Sequence, residues 1–146
     1  MDTTRRRALV LAVLAGLFLL RVLGQALVVY GGATWLPPVD QWQSGLLPYP
    51  WLLAAQVLIL IFQVSVIRAI LSQRGRLAGA NVSVGRWLRA ISFVYAGGML
   101  LRYIITMTVF PERRWLGRGT IPILFHCALA AWLYVWSRHH MREGRA

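Results

Sequence analysis

Residues 8–30 read ALVLAVLAGLFLLRVLGQALVVY, with Arg21 and Gln25 the only strongly polar side chains in 23 positions. A helix rises 1.5 Å per residue, so about 20 apolar residues cross the roughly 30 Å of hydrocarbon in a bilayer. The stretch is long enough to do so. In lipid it must be helical, because a strand hairpin leaves unsatisfied backbone groups along its edges.

Three further runs of the same kind follow. Residues 51–71 contain Gln56 and Gln63, residues 88–110 contain Arg102, and residues 120–136, the shortest, contain His126. The alternation expected of a membrane barrel is missing. The sequence therefore predicts an all-α fold, a single membrane domain over residues 1–146 built as a bundle of four transmembrane helices.

Prolines mark the connections. Pro37, Pro38, Pro48 and Pro50 confine the first to residues 31–50, and Pro111 stops the third helix, since an interior proline removes a helical hydrogen bond. Thr120 is a suitable N-cap for the fourth helix, with Pro122 tolerated in its first turn. The 31–50 connection holds Trp35, Trp42 and Tyr49 but a single charge, Asp40. Such a segment belongs at the headgroup level, with a short helix between Val39 and Leu47. It is either a plain interfacial loop or a lid over the bundle mouth.

Charge sets the expected orientation. All sixteen basic residues are Arg, against four acids, for a net charge of +12. Four crossings put Arg5, Arg6, Arg7, Arg68, Arg74, Arg76, Arg86, Arg89, Arg138, Arg142 and Arg145 on one side. Arg113, Arg114 and Arg118 fall on the other. The positive-inside rule then makes both termini cytoplasmic, in a bacterial inner (cytoplasmic) membrane. Arg residues spaced between apolar runs fit topology and anionic lipid, and argue against nucleic acid as a partner. The N-terminal Arg triplet, apolar run and Gly24-Gln25-Ala26 also resemble a signal peptide. Apolar character resumes beyond that point, so the segment is read as a retained span. The lone Cys127 forms no intramolecular disulfide or CxxC motif.

Polar side chains in the spans carry the functional reading. Counted along the helices, Arg21 lies roughly 14 Å, Arg102 roughly 12 Å, His126 roughly 9 Å, and Gln25 and Gln56 roughly 8 Å from their outer ends. The opposite halves read as nearly pure hydrocarbon. Arg21 and Gln25 share a stripe at i,i+4, as do Gly98, Arg102 and Thr106. A lone charge at membrane depth costs about 2.5–3.5 kcal/mol, and no acid lies within any span. Both Arg residues therefore either snorkel to an interface or meet an anion: Asp40 or Glu112 dipping inward, a lipid phosphate, or an acid on another subunit.

The predicted ligand site is Arg21, Gln25, Gln56, Arg102 and His126, with Asp40 nearby and Trp35 and Trp42 across the mouth. No nucleophile–base–acid set, carboxylate pair or phosphate loop is present, so the chain reads as non-enzymatic. Three functions are expected in order. The first is a lipid- or anion-binding protein, autonomous, homo-oligomeric or an accessory to another membrane subunit. The second is a small transporter or lipid-phosphate carrier. The third is a redox protein holding haem or quinone at His126. His139 and His140 read as a solvated tail.

Overall fold

The computed structural model describes residues 3–43, 47–109 and 120–143, and all regular structure among them is helical. In order these are α1 (Thr3–Gly31), α2 (Val39–Trp42), α3 (Tyr49–Ser72), α4 (Val82–Val109) and α5 (Thr120–Glu143). All but α2 are long and apolar enough to cross a membrane. Phe110 to Gly119, with Pro111 and Glu112, fall outside the described residues.

The helices overrun their apolar runs, and local chemistry sets the ends. Gly32 takes φ +60 just past α1, and Ala33 N–H reaches back to the Leu27 carbonyl at 3.3 Å. A side chain at positive φ would be strained, which is why glycine stands there. Pro48 precedes α3 and Pro50 sits in its first turn. Asn81 caps α4, its Oδ1 accepting from the N–H groups of Ser83 (2.9 Å) and Val84 (3.2 Å), an ordinary N-cap role.

The largest departure is at the end of α5. The helix runs to Glu143, not Trp136, and His139 and His140 are buried at 0% and 4% exposure. They are not a solvated tail. His139 Nε2–H donates to the Ala78 carbonyl (3.2 Å), and Asn81 N–H donates to His140 Nδ1 (3.2 Å). The two rings staple the α3–α4 connection to the last turns of α5. These two imidazoles find partners in the backbone of a distant loop, which the apolar run lengths do not reveal.

Among the described residues the backbone of α1 lies against both α3 and α5, while α4 lies against α5 alone. The main core joins Ala8 and Leu11 of α1, Val66 and Ile70 of α3, and Trp132 and Trp136 of α5. Phe62 of α3 extends it, its ring 6.2 Å from that of Trp132 and 5.4 Å from that of Trp136. On α4 only Gly85 and Ser92 are buried. A β-carbon on Gly85 would lie 2.7 Å from Met141 Cγ and 3.0 Å from the Ser137 carbonyl oxygen, so α4 and α5 cross closely there. Ser92 Oγ donates to the Ala130 carbonyl at 2.8 Å. Small residues and interhelical hydrogen bonds are the usual adhesives where lipid is as apolar as leucine.

Candidate functional site

Beneath the α1–α3 connection, Arg21 is 5%, Gln25 0% and Gln56 3% exposed. Gln25 sits one turn after Arg21 on α1, and Gln56 two turns into α3. Gln56 Nε2 donates to Gln25 Oε1 at 3.1 Å, tying the two helices together. That bond uses one group from each amide. Gln25 Nε2 and Gln56 Oε1 remain buried without a partner.

The connection folds down onto these residues. Its single helical turn, α2, buries Trp42, whose indole N–H donates to the Pro37 carbonyl at 2.9 Å. The ring lies on α1 where Gly24 leaves room: a β-carbon there would stand 2.7 Å from Trp42 Cη2. Seated this way, Trp42 presents its own carbonyl to Arg21 Nη2 at 3.2 Å. The guanidinium carbon also lies 5.7 Å from the centre of the Phe125 ring on α5, within cation–π range. Arg21 does not snorkel to water. Its Nε is buried without a partner, and no carboxylate pairs with it among the described residues.

A cavity of about 100 Å³ opens beside this group. Arg21 and Phe18 of α1, Gln56 of α3, Tyr95 of α4, and Phe125 and His126 of α5 contribute to its wall, and none of its described lining residues is acidic. His126 Nδ1–H donates to the Pro122 carbonyl one turn earlier, which fixes the ring. Tyr95 packs against that ring at 5.7 Å.

Of the residues read from sequence, Arg21, Gln56 and His126 meet at the cavity, Gln25 braces Gln56, and Trp42 closes over Arg21. The others do not line the cavity. Trp35 is 77% exposed, and Asp40 stands on the exposed side of α2. Arg102 is half-buried and absent from the cavity wall; its carbonyl accepts from Thr106 Oγ1 at 2.8 Å. Phe125 and Phe18 complete the wall without having been singled out, and Tyr95, which the sequence places one turn before Gly98 on the Arg102 stripe, joins them.

The arrangement can hold an anionic group. It offers one fixed positive charge, with spare donors on Arg21 and Gln25 and a histidine on the wall. Among the cavity's described lining residues, no nucleophile is hydrogen-bonded to a base. The cavity is smaller than the roughly 150 Å³ that admits benzene in an engineered protein core. No family model matches the chain, and neither the curated proteins nor the solved structures contain a significant match.

Proposed function

We propose that this chain is a non-enzymatic membrane protein that binds an anionic headgroup, a phosphate or carboxylate, in the cavity beneath α2. The observation that carries this reading is the buried Arg21 guanidinium. It is held by a backbone carbonyl and an aromatic face, keeps a spare Nε–H, and has no acid beside it among the described residues. Arg pairs bidentately with phosphate and carboxylate oxygens, and such charge-assisted bonds are about twice as strong as neutral ones. An anion entering the cavity would supply both the missing charge and the missing acceptor.

The chain's setting is part of the same proposal. Arg6, Arg7, Arg138 and Arg142 all stand at the end of the bundle where α1 begins and α5 ends. Under the positive-inside rule that end faces the cytoplasm, which puts the Arg21 cavity in the outer leaflet of a bacterial inner membrane. A lipid headgroup is the most accessible anion at that depth. The lipid-exposed face of α4, including Phe93 (61% exposed), Val94 (77%) and Leu100 (59%), leaves room for another subunit or a second copy.

The test is a titration of purified protein with short-chain phosphatidic acid and with inorganic phosphate, followed by thermal shift and native mass spectrometry. Arg21→Met should weaken binding at least ten-fold while helicity stays unchanged. Arg102→Gln should leave it intact, because Arg102 does not line the cavity. Equal affinity in wild type and Arg21→Met overturns the assignment. A Soret band in the purified protein would favour the redox alternative instead.

A further inference from the structure

The geometry points to a second anion site at the opposite end of the bundle, for the phosphate of an anionic glycerophospholipid. The first turns of α1 and the last turns of α5 frame a cleft of about 470 Å³. Thr3, Arg6, Arg7 and Val10 line one wall, and Tyr134, Val135, Arg138 and Arg142 line the other. Each wall is a helical stripe. Thr3, Arg6, Arg7 and Val10 recur at three- and four-residue steps, as do Tyr134, Arg138 and Arg142, so their side chains share a face.

Topology alone explains why arginines collect at this end. It does not explain why four of them line one cleft. Arg86 on α4 belongs to the same end by sequence, and it lines a separate groove with Ser83, Trp87 and Ala90 and no second arginine. Among the described residues none lining the four-arginine cleft is acidic. The acids nearest in sequence are Asp2 and Glu143, whose side chains lie outside the described part. Two carboxylates there would still be outnumbered by the four guanidinium groups.

Like charges gathered this way repel, by about 1 kcal/mol per pair at 4 Å even in bulk water. An anion relieves that repulsion, and basic clefts between helices at a membrane surface suit phosphate headgroups. The cleft volume lies in the 300–1,000 Å³ range of small-molecule sites. Its chemistry changes along its length in the order a lipid requires. Arg6, Arg138 and Arg142 are exposed, Tyr134 is held against Phe93 at 5.8 Å, and Val10 and Val135 lie toward the apolar part of the bundle. Beyond Val10, α1 exposes Val13 and Leu17, a surface on which an acyl chain can lie. A free phosphate would use the arginines and leave the valine floor unused.

The experiment uses the full chain in nanodiscs of phosphatidylcholine doped with phosphatidylglycerol, with retained lipid counted by native mass spectrometry. The variants are Arg6→Gln/Arg7→Gln/Arg138→Gln/Arg142→Gln and a charge-matched control, Arg68→Gln/Arg74→Gln/Arg76→Gln/Arg89→Gln. Wild type and control should retain phosphatidylglycerol over phosphatidylcholine, and the cleft variant should lose at least ten-fold of that preference. The exposed pair Arg138→Gln/Arg142→Gln should lose about half the effect and serves if the fourfold variant misfolds. Arg21→Met should leave this retention unchanged, so the two anion sites fail or stand separately. Equal losses in cleft variant and control would show general charge attraction and overturn the site. Full displacement by millimolar inorganic phosphate would make free phosphate the ligand and overturn the lipid assignment.

Discussion

Gln56 and Gln63 stand two turns apart on the buried face of α3, at 3% and 1% exposure, in very different company. Gln56 belongs to the lid end. It bonds Gln25, lines the cavity and shares it with a guanidinium. Gln63 belongs to the aromatic seam, one turn from Val66 and two from Ile70, and neither of its amide atoms has a partner. Trp132 and Trp136 in that seam also keep indole N–H groups unpaired. At the lid end the spare donors accompany an open cavity and a fixed charge, the combination a ligand can use. In the seam the polar atoms are neutral and accompany a packed hydrocarbon core. A buried polar group is thus read by what surrounds it, not by its burial.

The seam should be where the molecule is most easily broken. Trp132 is 1% exposed and touches Phe62 and Trp136. Trp132→Ala removes that contact and opens a void, at a cost of about 3–5 kcal/mol, measured by unfolding in bicelles. A loss under about 1 kcal/mol would mean the seam is not the core. The lid should break next. Gly24→Ala drives a β-carbon into the Trp42 ring, and overpacking of this kind costs about 1–3 kcal/mol. Its expected signature is local: Trp42 becomes accessible to an aqueous quencher, while the seam tryptophans do not. An unchanged quenching profile would show that the ring does not sit on Gly24.

The four spans were legible because apolar run length is a direct consequence of bilayer thickness. The loop bounds were legible because proline cannot continue a helix. Lateral order was not. When lipid is as apolar as the core, a leucine facing a neighbour and a leucine facing lipid read alike, so nothing in residues 88–110 announces that, among the described residues, the backbone of α4 lies against α5 alone. Depth counting placed Gln25 and Gln56 at one level, and they bond. The same counting placed Arg102 near Arg21, yet Arg102 does not line the cavity, because depth carries no rotation about the helix axis. Trp42 and Trp35 were indistinguishable as loop aromatics. A single glycine on another helix provides the space for one of them. The halves of the helices away from the cavity read as nearly pure hydrocarbon, but Gln63, Ser92, Ser137, His139 and His140 are buried there. The histidines were hidden because their partners are backbone groups, which every residue carries.

Gln63→Leu offers the next and smaller contrast. Replacing a buried amide that has no partner removes a desolvation cost, so the variant should be more stable by about 1 kcal/mol. A destabilisation of that size would mean that Gln63 holds a bond, to a water for instance.

The finest effect is the Gln25–Gln56 bond itself. Interhelical hydrogen bonds within membranes average about 0.6 kcal/mol in double-mutant cycles, so a cycle of Gln25→Leu, Gln56→Leu and the double variant should return a coupling near that value. Each single variant leaves the other amide buried and alone, so the singles should be less stable than the double. Stability and binding then part company. If these amides serve the cavity, the double variant should recover most of its stability and still bind phosphatidic acid more weakly than wild type. If they serve only to join α1 to α3, binding should follow stability and recover with it.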